Sequence, residues 1–266
     1  MKDFFKNVLA TIVGILLTGF ILVIFGLLSI IGMAISSEKS ASIKNNSVLS
    51  INLSGQMTER VEDDFMTQLS GQVSNNISLE DFISGVRKAK NNDKIKGIYL
   101  EAGAFAPDSY ASLQAARNAL LDFKKSGKWI VAYGDIYTQG AYYLASVADK
   151  LYLNPQGQID WHGLAAQPVF LKDMLAKVGV KMQVAKVGTY KSATEQFTGD
   201  KMSDADRAQT TAYLNGIWQN ITKGVSESRK ISVATLNQYA DSLITFAAPN
   251  EYQKLKLVDG LLYTDQ

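Results

Sequence analysis

Between Asn7 and Ser37 the chain has no charged residue, and Val8 to Ile35 consists mainly of Leu, Ile, Val, Phe and Gly. About 20 apolar residues cross the hydrocarbon core of a bilayer, so this run is long enough to span one with some tilt. A helix packed on a soluble core keeps a polar face, and this run has none. A cleaved signal peptide carries an apolar region of roughly 7–15 residues before a small-residue cleavage site. Met33-Ala34-Ile35-Ser36-Ser37 offers a weak version of that site, but the run before it is too long. Residues 1–37 are therefore expected to form a cytoplasmic start and one uncleaved transmembrane helix. Lys2 and Lys6 precede the run while Glu38, Lys39 and Lys44 follow it, so the charge balance favours a cytoplasmic N-terminus by a small margin.

Glu38 to Ser47 is polar and rich in Ser, Lys and Asn, which suits a linker over 38–47. Residues 48–266, roughly 220 in number, suffice to bury one sizeable core. Their pattern alternates. Val48 to Leu53 reads as a strand. Ser78 caps an amphipathic helix that runs to about Lys90, with Asp81 as its capping-box partner. Ile95 to Leu100 is the next strand, and Glu101 to Pro107 reads as a loop. Asp108 is placed to cap a helix that reaches Ser126 and stops at Gly127. Trp129 to Tyr133 is a strand, Gly140 to Val147 a small-residue helix, and Leu151 to Leu153 a short strand. Pro168 begins a helix that ends at Gly179, and the apolar run Met182 to Val187 reads as a buried strand. The last third is helical, over Asp204 to Arg229, Val233 to Leu243 and Asn250 to Leu255. Apolar strands separated by helices predict an α/β fold with mostly parallel strands.

Composition narrows the chemistry. The chain has one histidine, His162, and no cysteine. A Ser-His-Asp triad would rest on His162, a thiol nucleophile is excluded, and no His/Cys metal cluster can form. His162 lies between Trp161 and Gly163, a setting more typical of a packed or surface residue than of a catalyst. No cofactor or metal is expected. The formal charge of +2, without a Lys/Arg block, argues against nucleic acid as a partner. Hydrolysis by this chain must therefore draw on serine, lysine and the carboxylates.

One lysine stands out. Val187-Gly188-Thr189-Tyr190-Lys191-Ser192-Ala193-Thr194-Glu195-Gln196-Phe197, followed by Met202-Ser203, places Lys191 in a Gly-led turn directly after an apolar run. A lysine amine becomes a general base when burial or positive neighbours lower its pKa. Bringing such a group from about 10.4 to near 7–8 costs roughly 4 kcal/mol, and a domain interface is one place to obtain that desolvation. Taken locally, Lys191 also fits a solvated loop residue. Glu195 is placed to orient Lys191 or its turn, or else to sit as a solvated carboxylate. Ser192 adjoins Lys191, but neighbouring residues in an extended turn point apart. Ser146 lies within a helix and reads as packing.

The segment from Val187 to Ala193, with Phe197 and Met202-Ser203 downstream, resembles the lysine motif of the signal peptide peptidase A family. Tyr137-Thr138-Gln139-Gly140-Ala141-Tyr142-Tyr143-Leu144-Ala145-Ser146, Leu153-Asn154-Pro155-Gln156-Gly157 and Leu257-Val258-Asp259-Gly260 are similar to the first half of the long, duplicated form, in the same order. The resemblance implies a spiral of ββα units, as in crotonase and Clp protease, behind one transmembrane helix. It implies a serine protease anchored in the bacterial inner membrane, facing the periplasm, that degrades cleaved signal peptides and other apolar peptides. It further implies cup-like homo-oligomers and a site split between two tandem halves, the first supplying the lysine base. By motif, Lys191 inherits that role.

The chain also departs from the full pattern. Where the second half of long-form members carries a serine before a Gly-Gly-Tyr-like run, this chain has Gln139-Gly140-Ala141-Tyr142-Tyr143. The nucleophile is then expected on a second peptidase half outside these residues. Glu101 to Pro107 stands where relatives with a full site carry a Pro-Gly-Gly turn, so the oxyanion donors are expected elsewhere too. Three readings remain. The chain contributes the base to a membrane-bound serine protease; it is a catalytically silent, crotonase-like scaffolding or peptide-binding module; or it is an acyl-CoA enzyme of crotonase type. The membrane anchor, and the lack of a Glu pair in Gly-rich loops, weigh against the last.

Overall fold

In the computed structural model, residues 2–37, 43–61 and 76–266 are described, and they fall into two compact units, Met1–Lys44 and Asn45–Gln266. The linker expected over 38–47 lies outside the described residues at 38–42. In the first unit, helix α1 runs Lys2–Ser37, and its stretch Lys2–Ser29 is long and apolar enough to cross a membrane. The hydroxyls of Thr11 and Thr18 donate back to the carbonyls of Asn7 and Gly14 at 2.9 and 2.8 Å. Two polar side chains of the helix are thus satisfied within it, as an apolar surrounding requires.

The second unit is built on six strands: β1 Ser47–Thr58, β2 Ile77–Ser78, β3 Ile95–Pro107, β4 Trp129–Tyr137, β5 Lys150–Ile159 and β6 Gly260–Leu261. Their order in the sheet is β2-β1-β3-β4-β5-β6 and every pairing is parallel. Apart from β2, spatial order is chain order, so the chain winds steadily in one direction. Parallel neighbours need crossovers. These are helices α2 Leu79–Lys90, α3 Tyr110–Lys124 and α4 Gln139–Ala145, then a longer passage from β5 to β6. That passage holds α5 Lys172–Lys177, α6 Glu195–Thr198, α7 Asp204–Arg229, α8 Val233–Asp241 and α9 Pro249–Lys254. Leu53, Ile98, Leu100, Ile130, Leu151 and Leu153 fill the sheet's buried face, and Leu113, Leu120, Tyr142, Trp161 and Tyr252 pack among them.

Four strands outrun their sequence signals, and β1, expected to stop at Leu53, runs on to Thr58. Glu101 to Pro107, expected as a loop, continues β3 and pairs with β1 from Asn52 to Met57 across an irregularity between Leu53 and Gly55. Gly103 and Pro107 suggested the loop, but Phe105 is buried, and a proline at the last strand position removes no needed donor. β4 and β5 likewise extend to Tyr137 and Ile159. The cap of α3 is Ser109 rather than Asp108. The Asp108 amide donates to the Met57 carbonyl at 2.8 Å, while Ser109 Oγ accepts from the Ser112 amide at 3.1 Å. The cap at Ser78 and the span of α7 match the sequence reading.

Arg117 joins the late helices to the sheet layer. Its guanidinium is buried and donates to the Tyr143 carbonyl, to Ser146 Oγ at 2.8 Å, to the Gly224 carbonyl at 2.6 Å and to Ser228 Oγ at 2.7 Å. It also lies 4.4 Å from the centre of the Tyr143 ring. α7 approaches closely enough that a Cβ on Gly224 would stand 2.9 Å from Tyr143 Cε2. One side chain thus fastens α3, α4 and α7 together, and Ser146 belongs to this packing. Removing the charge would strand buried acceptors, each costing about 1–3 kcal/mol. Arg117→Met is therefore expected to destabilise the domain by roughly 3 kcal/mol or more, and Lys at this position to recover little of it, because an ammonium lacks the planar fork. Urea unfolding followed by the fluorescence of Trp161 and Trp218, whose rings lie 5.1 Å apart, is the check.

Candidate active site

Lys191 lies on the passage between β5 and α7, on a stretch with little regular structure. The strand expected over Met182 to Val187 is not formed: these residues pair with no strand among those described, and Val187 is 91% exposed. An apolar run signals that something buries it and does not say what does. The helix expected from Pro168 shortens to α5, Lys172–Lys177, closed by Gly179 at φ +76°. Val169, Met174, Val178, Val180, Met182 and Tyr190 are all exposed, so this passage presents an apolar strip.

The turn that carries Lys191 begins at Gly188, whose φ of +100° suits glycine and strains any other residue. Lys191 folds back over it, its Cγ 4.0 Å from where a Cβ on Gly188 would lie. The lysine is exposed, and among the described residues its amine has neither a hydrogen bond nor an ion pair. Just beyond it, Glu195 opens α6, and its amide donates to the Ser192 carbonyl at 2.8 Å. Glu195 is only 9% exposed. Its carboxylate accepts from the Ser203 amide at 3.1 Å and the Ser203 hydroxyl at 2.8 Å, with Lys186 Nζ at 3.6 Å. The hydrogen bonds from Ser203 hold it below the usual carboxylate range, with Lys186 helping. Glu195 is thus a held carboxylate, and its partner is Lys186 rather than Lys191. Thr194 Oγ1, one residue earlier, is buried without a partner.

The start of α4 is the second element of interest. Thr138 caps it, accepting from the Ala141 amide at 3.3 Å and donating to the Phe105 carbonyl at 2.9 Å. Gln139 follows, buried, with its carboxamide closed on the far loop. Oε1 accepts from the amides of His162 and Gly163 at 3.2 and 3.1 Å, and Nε2 donates to the Gly163 carbonyl at 3.1 Å. This side chain ties the end of β5 to the helix start and fills the place with an unreactive amide. No sequence pattern pointed to that clamp; the only hint was a glutamine where a small residue would fit the helix start. The backbone of Glu101 to Pro107 is paired with β1, so it forms no open turn beside Gly140. His162 sits at the surface, its Nε2 3.2 Å from Asp160 Oδ2. Among the described residues, no three His, Asp or Glu side chains converge as metal ligands would.

Comparisons with known proteins place this geometry in a lineage. Residues 122–266 match the family described as peptidase family S49. The chain is 34% identical over 226 residues to Protease 4 of Haemophilus influenzae, covering 83% of this chain and 36% of that protein. It is 41% identical over 180 residues to Protease 4 of Salmonella typhi, covering 66% of this chain and 29% of that protein. The chain therefore spans about a third of the length of the relatives it matches. Among solved structures it is similar to the ClpP protease catalytic domain from Plasmodium falciparum, at 13% identity and a TM-score of 0.47, with 82% of this chain and 86% of that one covered. The chain belongs to peptidase family S49.

Proposed function

We propose that this chain supplies the general base, Lys191, to a membrane-anchored serine protease whose nucleophile lies on a second peptidase half outside these residues. The observation that carries the reading is the sorting of charges around the turn. The buried carboxylate Glu195 is engaged by Ser203 and Lys186, and Lys191, five residues on, has no counter-ion. A carboxylate partner would hold a lysine protonated and useless as a base. An unpartnered lysine at the end of an exposed apolar strip becomes dry only when something covers that strip, and the second half is the natural cover.

The chemistry follows. The neutral Lys191 amine takes the proton of a serine hydroxyl brought within about 3 Å, as that oxygen attacks the peptide carbonyl carbon. The tetrahedral intermediate collapses with the C–N bond breaking, and the lysine ammonium returns its proton to the leaving amine. Water then attacks the acyl-enzyme ester with Lys191 again as base, releasing the carboxylate product and restoring the serine hydroxyl. The oxyanion donors come from the second half, since the corresponding backbone here is paired into the sheet. The length and apolarity of α1 support a membrane anchor, and the reading puts the peptidase unit on the periplasmic side of a bacterial inner membrane, with cleaved signal peptides and other apolar peptides as substrates. The exposed strip also supports assembly into homo-oligomers.

Gln139 favours the companion reading that these residues are catalytically silent by themselves. Its carboxamide occupies the helix start where a nucleophile would stand.

In the complete peptidase, Lys191→Ala is expected to lower kcat/KM by roughly 100- to 10,000-fold with assembly intact, and Lys191→Arg to be equally inactive because a guanidinium does not deprotonate. Hydrolysis of a fluorogenic apolar peptide checks both, and substantial activity in either variant removes Lys191 from the mechanism. A second outcome concerns residues 45–266 alone. A fluorophosphonate probe is expected to leave every serine unlabelled, Ser192 and Ser146 included, as read by intact mass. Stoichiometric labelling would place the nucleophile within this chain.

A further inference from the structure

Glu195 is the one carboxylate buried among the described residues, and its surroundings explain why a charge is kept there. Burying an ionised carboxylate is costly unless donors surround it. The donors come from both sides of the Lys191 turn. Lys186 lies at the end of the apolar run that enters the turn, and Ser203 lies at the start of α7, where the chain leaves it. The contact with α7 is a relay: the Asp206 amide donates to Ser203 Oγ at 3.1 Å, and the same hydroxyl donates to Glu195 at 2.8 Å. α7 is itself fastened to the core by Arg117 through Gly224 and Ser228. A firm element therefore reaches, through one carboxylate, to a turn that has no strand pairing of its own. Further bonds trim the same fold: the Leu171 amide to the Gln196 carbonyl at 2.6 Å, and Lys172 to Asp200 at 2.8 Å.

We propose that Glu195 is a positioning residue for Lys191, its carboxylate clamping Ser203 to Lys186 so that the intervening turn presents the amine in one place. The inference rests on the reading of Lys191 as the base. Glu195 acts on the turn and does not touch substrate. Its engagement with Lys186 also keeps its negative charge from pairing with Lys191. A misplaced base costs turnover more than binding, and a shift of about 1 Å can cost on the order of 100-fold.

The test uses the complete peptidase and a fluorogenic apolar peptide. Glu195→Gln keeps size but presents an amide donor to Ser203 and Lys186. It is expected to lower kcat roughly 10- to 100-fold with KM within about twofold. Ser203→Ala, which removes the relay hydroxyl, is expected to lower kcat in the same way, and Ser203→Thr, which keeps it, to restore most of the turnover. The serine pair decides the matter if Glu195→Gln fails to fold. Parental kcat in Glu195→Gln, with Lys191→Ala inactive, would overturn the positioning role alone. So would a loss of activity in the Ser203 variants that follows melting temperature and is not recovered by Thr. Activity retained in Lys191→Ala would instead overturn the catalytic reading, and the inference with it.

Discussion

The carboxylate of Glu195 is the interaction on which the candidate site depends. It is the one ionised acid taken out of water among the described residues, and it is repaid by hydrogen bonds from Ser203 and by the Lys186 ammonium. Without it, the stretch from Lys172 to Ser203 would lose its side-chain tie to the start of α7. With it, the turn at Gly188 is closed on both sides and Lys191 stands at its tip. The same carboxylate pairs with Lys186 and leaves Lys191 without a counter-ion among the described residues, which is the arrangement the proposed role of Lys191 needs.

Behind this clamp lies a scaffold that is complete in itself. Six parallel strands form one sheet, all but β2 in chain order, and Arg117 binds the third, fourth and seventh helices into one layer. The scaffold offers an ordered start to α4, yet Gln139 closes that start with three hydrogen bonds. The start of α4 is thus filled with an amide. Lys191 stands at the end of an apolar strip that is exposed among the described residues. On the proposal that Lys191 is the base, a partner is required to bring both the nucleophile and a dry environment.

Much of the frame was legible in the sequence because local rules and tertiary structure agreed. α7 has the span expected for it, Asp204 to Arg229, and the Ser78 cap was readable from the spacing to Asp81. Disagreement arose where tertiary partners overrode a local signal. The strand expected to end at Leu153 runs on through Asn154-Pro155-Gln156-Gly157 in β5, where the Asn154 side-chain Nδ2 donates to Asp135 Oδ1 at 2.8 Å across the irregular pairing with β4. Asp108 and Ser109 are equally good caps by residue type, and only the pull of the Met57 carbonyl on the Asp108 amide selects Ser109. At the site, the motif located Lys191, and the apolar run before it promised a strand. The apolarity is real, but among the described residues nothing buries the run, and Val187 is 91% exposed. The Glu195–Ser203 relay and the Gln139 clamp were not readable, since both depend on contacts between segments that fold together only in three dimensions.

The central claim is that Lys191 is open to water in these residues alone and becomes enclosed in the assembled peptidase. Competitive labelling with acetic anhydride, read by peptide mass, measures this directly, with Lys177 and Lys181 on the same passage as internal references. Lys191 is expected to be acetylated as fast as the references in this chain alone. In the complete peptidase it is expected to be strongly protected, with protection lost when the two halves are separated. Equal labelling of Lys191 in both states would contradict the account.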